Sequence, residues 1–279
     1  MDKLVEITSM TKSFGKKVIL QDVDMVINKG DSIALIGHNG CGKSTLLKII
    51  CGLTSIKEGN VKYYKKIKFN YVPERFPQMA ITPRQYILRT ALIEGLTKDE
   101  INKKSDELFK EFFMDNMIDT PIKYLSKGSI QKVSVIQALI TKPDILLLDE
   151  PLSGQDADSQ KVFIELIEKL IEEDVTVVMS CHENILINAL SNIVYEVKDK
   201  NIQKRYVLNR TTSRNYDVLV FKENTNLKEK YKDIEEKIEK IDRDGNEIKV
   251  FVFENNSNIV VKKMLDYGYE IRRMYSEKF

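Results

Sequence analysis

The sequence predicts an α/β fold carrying an antiparallel β subdomain and an all-helical insertion, followed by a small α+β module. Three observations carry that prediction. The stretch Ser32 to Ile50, SIALIGHNGCGKSTLLKII, passes from a short apolar run through a glycine-punctuated loop into an apolar-periodic helix. A second apolar run, Ile145 to Leu148, ends in Asp149-Glu150-Pro151. Between about residues 80 and 140 the strand signals give way to helical periodicity with well-marked helix starts.

In chain order, Leu4 to Met10 and Val18 to Ile27 alternate enough for antiparallel strands, separated by an exposed turn, Lys12 to Lys16, that carries Phe14. The turn Asn28-Lys29-Gly30-Asp31 leads into the strand before the glycine loop, and Gly59 to Tyr63 and Ile67 to Val72 supply two more strands. Thr82-Pro83 opens a helix through Ile93, and Thr97-Lys98-Asp99-Glu100 is a capping box opening another to about Met114. After Asp149-Glu150, Asp156 caps a helix over about 157–173, and the strand Val175 to Met179 ends in Ser180-Cys181-His182-Glu183. From about 205 onward the order is strand 216–221, helix 226–231, strand 234–241, a turn at Asp242 to Gly245, strand 248–253, helix 258–267 and strand 269–275. That βαββαβ order suits a ferredoxin-like module.

Composition excludes several functions. Forty-four basic and 42 acidic residues leave a net charge of +2, which gives no general attraction to nucleic acid or anionic lipid. The longest apolar runs fall far short of the roughly 18 to 20 residues that cross a bilayer, and the start MDKLVEITSM lacks the pattern of a secretion signal. Cys41, Cys51 and Cys181 are too few and scattered for a disulfide framework or a thiolate metal site, so reduced thiols in a cytosolic protein are expected. Cys41, beside a helix N-terminus, reads chiefly as a small residue that fits the loop, with reactivity toward alkylating agents as the alternative.

The glycine loop is a phosphate-binding loop. Gly37, Gly40 and Gly42 let the backbone curl so that successive N–H groups converge on phosphate oxygens, Lys43 adds a point charge, Ser44 offers a hydroxyl to Mg²⁺, and the helix start adds its dipole. His38, Asn39, Cys41 and Thr45 complete the loop around the nucleotide, the His38 side chain being incidental. An apolar strand ending in Asp149 and Glu150 is the partner motif: Asp149 would hold Mg²⁺ and Glu150 would take a proton from the attacking water.

Over its first 200 residues or so the chain resembles the ATP-binding-cassette (ABC) ATPases, a branch of the P-loop NTPases. The order of GHNGCGKST, YVPE, LSKGS, ILLLDEP, SGQD and a lone histidine after the next strand carries the resemblance. It implies an ABC domain over 1–204 with a helical subdomain at about 80–140, and an accessory module over 205–279. It also implies an ATPase that uses ATP and Mg²⁺ and works as a head-to-tail homodimer, or with a similar cassette, each ATP lying between one subunit's phosphate loop and the other's Ser126, Lys127 and Gly128. Phe14 would stack on adenine, His182 would reach the γ-phosphate, and Glu74 would stand near Mg²⁺. A separately encoded permease would be the membrane contact, placing the chain at the cytoplasmic face of the cell membrane. No nucleic-acid partner is implied, and the aromatics of the last module do not follow an RNA-recognition pattern.

Two departures narrow the resemblance. Lys127 and Ser129 stand where the commoner signature LSGGQ has glycine and glutamine, and Glu74 stands where glutamine is commoner. Drug- and peptide-exporting members resemble this chain in having glutamate at that position and Lys-Gly, here Lys127-Gly128, in the signature, which points to export. The alternatives are a regulatory cassette with little hydrolysis and a soluble, non-transport ABC ATPase. Lys127 is expected either to add charge at the partner's phosphate or to point to solvent. Gln155, where leucine is commoner, lies where two subunits would meet.

Overall fold

A computed structural model describes residues 2–207, 215–222, 234, 237–238, 240–244 and 247–278. The chain forms two compact units, one of residues 1–182 with 190–208 and one of 183–189 with 209–279.

The first unit runs through β1 (Lys3–Phe14), β2 (Lys17–Asn28), β3 (Ser32–Ile36), α1 (Lys43–Ile50), β4 (Glu58–Tyr63) and β5 (Phe69–Val72). It continues with α2 (Pro83–Ile93), α3 (Lys98–Glu111), a 3₁₀ turn (Ile122–Tyr124), α4 (Lys127–Leu139), β6 (Ile145–Asp149), α5 (Ala157–Glu172) and β7 (Thr176–Ser180). After the short helix α6 (Asn184–Leu190), of which residues 184–189 belong to the second unit, the first unit ends with β8 (Ile193–Lys198) and β9 (Asn201–Val207).

Two sheets result. The first, β2-β1-β4, is antiparallel. The second, β5-β6-β7-β3-β8-β9, is parallel except for β9. Every residue of β6 and of β7 is buried, the pattern of strands covered on both faces. Burying each leucine of β6 contributes about 2 kcal/mol over leaving it exposed. Because β3, β6 and β7 run the same way, the phosphate loop, the Asp149-Glu150 pair and His182 all emerge at the sheet's carboxyl edge, where ligands bind in open α/β sheets.

The helical stretch follows its local signals. Both capping boxes close, with Gln85 N–H donating to Thr82 and Glu100 N–H donating to Thr97. Asp156 accepts from Ser159 N–H at 2.9 Å and starts α5.

The turn expected at Lys12–Lys16 is shorter than the sequence suggests. β1 keeps pairing with β2 through Lys12, Ser13 and Phe14, leaving Gly15 and Lys16 to reverse the chain. Lys12 is buried, and its ammonium donates to Thr54 Oγ1 at 2.9 Å and Ser55 O at 2.6 Å.

The second unit holds β10 (Asn215–Lys222), β11 (Lys240–Asp244), β12 (Glu247–Phe253), α7 (Glu254–Asp266) and β13 (Ile271–Lys278). Its sheet is antiparallel in the order β11-β12-β10-β13. Leu219, Phe221, Val250, Val252, Val260 and Met264 form its core. The helix expected at 226–231 and the turn residue Gly245 lie outside the described residues. The strand expected over 234–241 instead begins at Lys240, and Ile234 and Lys237 are in 3₁₀ conformation. Ile234 and Ile238 both enter the core, a spacing of four that a helical turn satisfies as well as a strand does. The last strand starts two residues later than expected, at Ile271.

Candidate functional site

The loop between β3 and α1 is shaped by its glycines. Gly37, Gly40 and Gly42 have φ of +143°, +79° and +118°, a region that side chains disfavour. A Cβ on Gly37 would stand 2.4 Å from Val197 O, so this position also needs the space. No side chain caps α1. Its first N–H groups are therefore left without a capping side-chain oxygen, as an anion-binding helix start requires.

Lys43 follows at once. Its side chain is only 6% exposed, and its ammonium donates to Gly37 O at 2.7 Å and stands 3.7 Å from Glu150 Oε1. His182 Nε2 lies 3.0 Å from that ammonium, 3.1 Å from Glu150 Oε1 and 2.9 Å from Asn39 Oδ1. These contacts cannot all be hydrogen bonds. If Nε2 carries the proton it donates to Glu150 or Asn39 and leaves Lys43 to the loop carbonyl; if not, it accepts from Lys43. The cluster is therefore built from exchangeable contacts.

The neighbouring carboxylate is held differently. Asp149 is 2% exposed. Its Oδ1 accepts from Ser44 at 2.9 Å and Ser180 at 2.7 Å, and its Oδ2 accepts from the Tyr71 hydroxyl at 3.0 Å. Burial, then the Asp149 charge and hydrogen bond, push the Tyr71 phenol far above its ordinary range, so it stays a donor. Glu150 itself has φ +49°, a left-handed turn costing about 1 kcal/mol for a non-glycine residue. Its N–H donates to Ser180 O at 3.0 Å, which holds that turn at the end of β6.

A cavity of about 530 Å³ is lined by Asn39, Gly40, Lys43, Ser44, Glu74 and Glu150, with Thr45 and His182 also on its wall. Glu74 faces this cavity and its carboxylate lies 3.7 Å from Arg75 Nε. The structure thus brings Lys43, Ser44, Thr45, Glu74, Asp149, Glu150 and His182 into one neighbourhood. Among the described residues the His38 ring bonds its local backbone, Nδ1 lying 3.0 Å from Asn39 O, and Cys41 is buried in the core.

Other expected residues stand elsewhere. Phe14, 56% exposed, ends β1 with the Lys12 ammonium 4.6 Å from its ring centre, and Ile19 rather than Phe14 forms the adjoining cavity wall. Ser126, Lys127 and Gly128 do not line the chain's own phosphate cavity. Ser126 caps α4, accepting from Ser129 N–H at 3.1 Å. Lys127 is exposed, and its ammonium donates to Ser153 Oγ at 2.9 Å. A Cβ on Gly128 would lie 2.2 Å from Gly154 O, so this glycine is required by the chain's own 151–156 loop. Gln155 is buried and donates to Pro151 O at 2.8 Å.

Sequence reasoning missed Tyr71 and Ser180 on Asp149, and Ser153 and Arg75 on the cavity wall. Ser180 was discoverable only from register, because β6 and β7 place it opposite Asp149. Ser44 and Asp149 offer hard oxygen donors beside the uncapped helix start, a set that fits Mg²⁺ and phosphate.

Comparisons with known proteins agree with this geometry. A family model described as "ABC transporter" matches residues 20–153. The uncharacterized ABC transporter ATP-binding protein MJ1023 of Methanocaldococcus jannaschii is 33% identical over 199 residues, 71% of this chain and 75% of that protein. Among solved structures, an ATP binding subunit of an ABC transporter matches at TM-score 0.67 and 24% identity, covering 73% of this chain and 90% of that one. The dimeric ATP-binding cassette MJ0796, in a post-hydrolysis state with ADP and Pi, matches at 0.68 and 22% identity over 74% of this chain and 100% of that one. Both structural likenesses concern the fold.

Proposed function

The chain belongs to the family of ABC transporter ATP-binding proteins, and within it we propose how its residues divide the work of binding and hydrolysing ATP. Members of this family are ATPases whose cofactors are ATP and Mg²⁺. The observation that carries the residue assignment is the cluster of Lys43, Glu150, His182 and Asn39 on the cavity wall, with Ser44 and Asp149 beside it.

In this reading the backbone of Gly37 to Gly42 and the start of α1 bind the phosphates, and Thr45 lines their approach. Lys43 leaves Glu150 and His182 for the β and γ oxygens. The phosphate oxygens replace the acceptors it gives up. Glu150 takes a proton from the water that attacks the γ-phosphorus, the bond to the bridging oxygen breaks, and ADP leaves with that oxygen. His182 donates to the γ-phosphate and keeps the water in line. Ser44 and Asp149 would hold Mg²⁺, with Glu74 facing the same space; the bound ion supplies positive charge against the phosphate oxygens.

We assign Ser126, Lys127 and Gly128 to a second copy's nucleotide in a head-to-tail dimer. Their position off the chain's own cavity supports this, and Ser126 at the start of α4 presents a helix N-terminus. Closing and opening of that dimer would drive a separate permease at the cytoplasmic face of the membrane. No helix among the described residues is long and apolar enough to cross a membrane. Export of a peptide, drug or similar substrate rests on the resemblance of Glu74 and Lys127-Gly128 to exporting members. Residues 1–204 form the cassette in this reading and 205–279 an accessory module; the 183–189 segment groups with the second compact unit.

The test is Mg²⁺-dependent ATPase activity against protein concentration. A faster than linear rise supports the two-copy site. A strictly linear dependence, with a monomer at all concentrations in the presence of ATP, overturns it.

A further inference from the structure

We infer that Tyr71 is a positioning residue for the metal-side carboxylate: its hydroxyl occupies Asp149 Oδ2 and so leaves Oδ1 as the oxygen that Asp149 presents toward Ser44. This deepens the assignment of Ser44 and Asp149 to Mg²⁺ and rests on it.

The geometry is specific. Asp149 is 2% exposed, so water does not solvate it, and its orientation is set by the donors around it. Two of these, Ser44 and Ser180, converge on Oδ1, and among the described residues Tyr71 alone holds Oδ2. A carboxylate fixed at both oxygens cannot rotate to chelate an ion with the pair. It offers one oxygen, directly or through water, in a fixed direction. Tyr71 reaches it because β5 lies parallel to β6 with Tyr71 opposite Leu147, two residues before Asp149.

The same strand end leads to the cavity. Beyond Tyr71 the chain continues through Pro73, whose carbonyl accepts from Gln131 of α4 at 3.2 Å, to Glu74 on the cavity wall. Tyr71 therefore fastens the strand that delivers Glu74 to the carboxylate at the end of β6. A shift of the 73–75 loop that moved β5 would pull on Asp149 through this hydroxyl.

The test uses Mn²⁺ as probe, with a non-hydrolysable ATP analogue, and follows bound ion by electron paramagnetic resonance in the full chain. Tyr71→Phe keeps the ring and removes the hydroxyl. The expected result is Mn²⁺ binding weaker by about 10-fold, the lower end of what loss of an outer partner costs a metal site, with metal-free binding of the analogue changed less than about twofold. Mn²⁺ binding within about twofold of the unaltered protein, whatever the melting temperature does, overturns the inference and makes Tyr71 a packing residue. Asp149→Asn separates the two layers. Weakened Mn²⁺ binding there upholds the metal-side assignment independently of Tyr71; unchanged binding removes that assignment and the inference with it.

Should the phenylalanine variant fail to fold, 3-fluorotyrosine at position 71 reports directly by fluorine resonance. Addition of Mg²⁺ to the analogue-bound protein is expected to shift that resonance with the same midpoint as metal binding. A resonance that does not move overturns the inference.

Discussion

Two buried lysines, Lys43 and Lys132, show how the same residue type serves two regions differently. Lys43 is 6% exposed and has Gly37 O, His182 and Glu150 around it, and the contacts of His182 Nε2 with Lys43, Glu150 and Asn39 compete for one ring nitrogen. Lys132, in α4, is 9% exposed at its side chain and donates to Phe112 O at 3.2 Å and Asp156 at 3.0 Å, contacts that are compatible with each other. One ammonium is poised to change partners, and the other fastens α4 to the start of α5. Burial and a nearby carboxylate do not by themselves mark a catalytic lysine. What distinguishes Lys43 is the cavity it faces and the neighbouring His182, whose Nε2 can exchange partners.

Substitutions can break that contrast. The largest effect is expected from Glu150→Gln, which keeps the shape and removes the proton acceptor. Steady-state ATPase activity should fall about 1,000-fold, equivalent to about 4 kcal/mol of barrier. His182→Ala should lower it about 100-fold in the same assay, with the Michaelis constant for ATP changing far less than the turnover number.

Gly128→Ala probes the 126–132 and 151–156 contact. Its new methyl would meet Gly154 O at 2.2 Å, so backbone must shift. The expected cost is about 2 kcal/mol in urea unfolding. Lys132→Met should cost about 1 to 2 kcal/mol, because Phe112 O loses its donor while Asp156, more than half exposed, stays hydrated. Turnover at 25 °C should stay within about twofold for Lys132→Met. A loss as large as that of His182→Ala would erase the distinction between the two lysines.

The smallest effect concerns pH. Burial works against the Asp156 carboxylate, but the Ser159 N–H, the Lys132 ammonium and the Ser159 hydroxyl outweigh it and hold its pKa well below the ordinary aspartate range. A depressed carboxylate stabilises the fold above its unfolded pKa, about 3.9, and loses that contribution as pH falls below this toward the lowered value. The melting-temperature difference between the unaltered chain and Asp156→Asn should be constant above about pH 5 and shrink as pH falls below about 4. A difference that grew on acidification would contradict the assignment.

What the sequence showed and what it hid follow from the range of the interactions. Gly37, Gly40, Gly42, Lys43 and Ser44 are local: a strand, a tight loop and a helix start are written in consecutive residues. The Ile145–Asp149 strand is equally local, because an apolar run closed by carboxylates needs no partner to be recognised. The helix starts at Thr82, Thr97 and Asp156 were legible for the same reason. The hydroxyls of Tyr71 and Ser180 on Asp149 depend on which strands lie side by side and in what register, which no local pattern encodes. The Gly128–Gly154 approach and the Lys127–Ser153 hydrogen bond likewise join segments some 26 residues apart. Phe14 was misplaced in a turn because β1 continues its pairing through residues whose polarity suggests a loop.

The most direct measurement concerns the fate of ATP on Glu150→Gln. With Mg²⁺ and ATP, this variant should retain unhydrolysed ATP through gel filtration and elute as a dimer, while the unaltered chain turns ATP over and elutes as a monomer after hydrolysis. Turnover by the variant at the rate of the unaltered chain would contradict the assignment of Glu150 as proton acceptor, and with it the reading of the Lys43, Glu150 and His182 cluster.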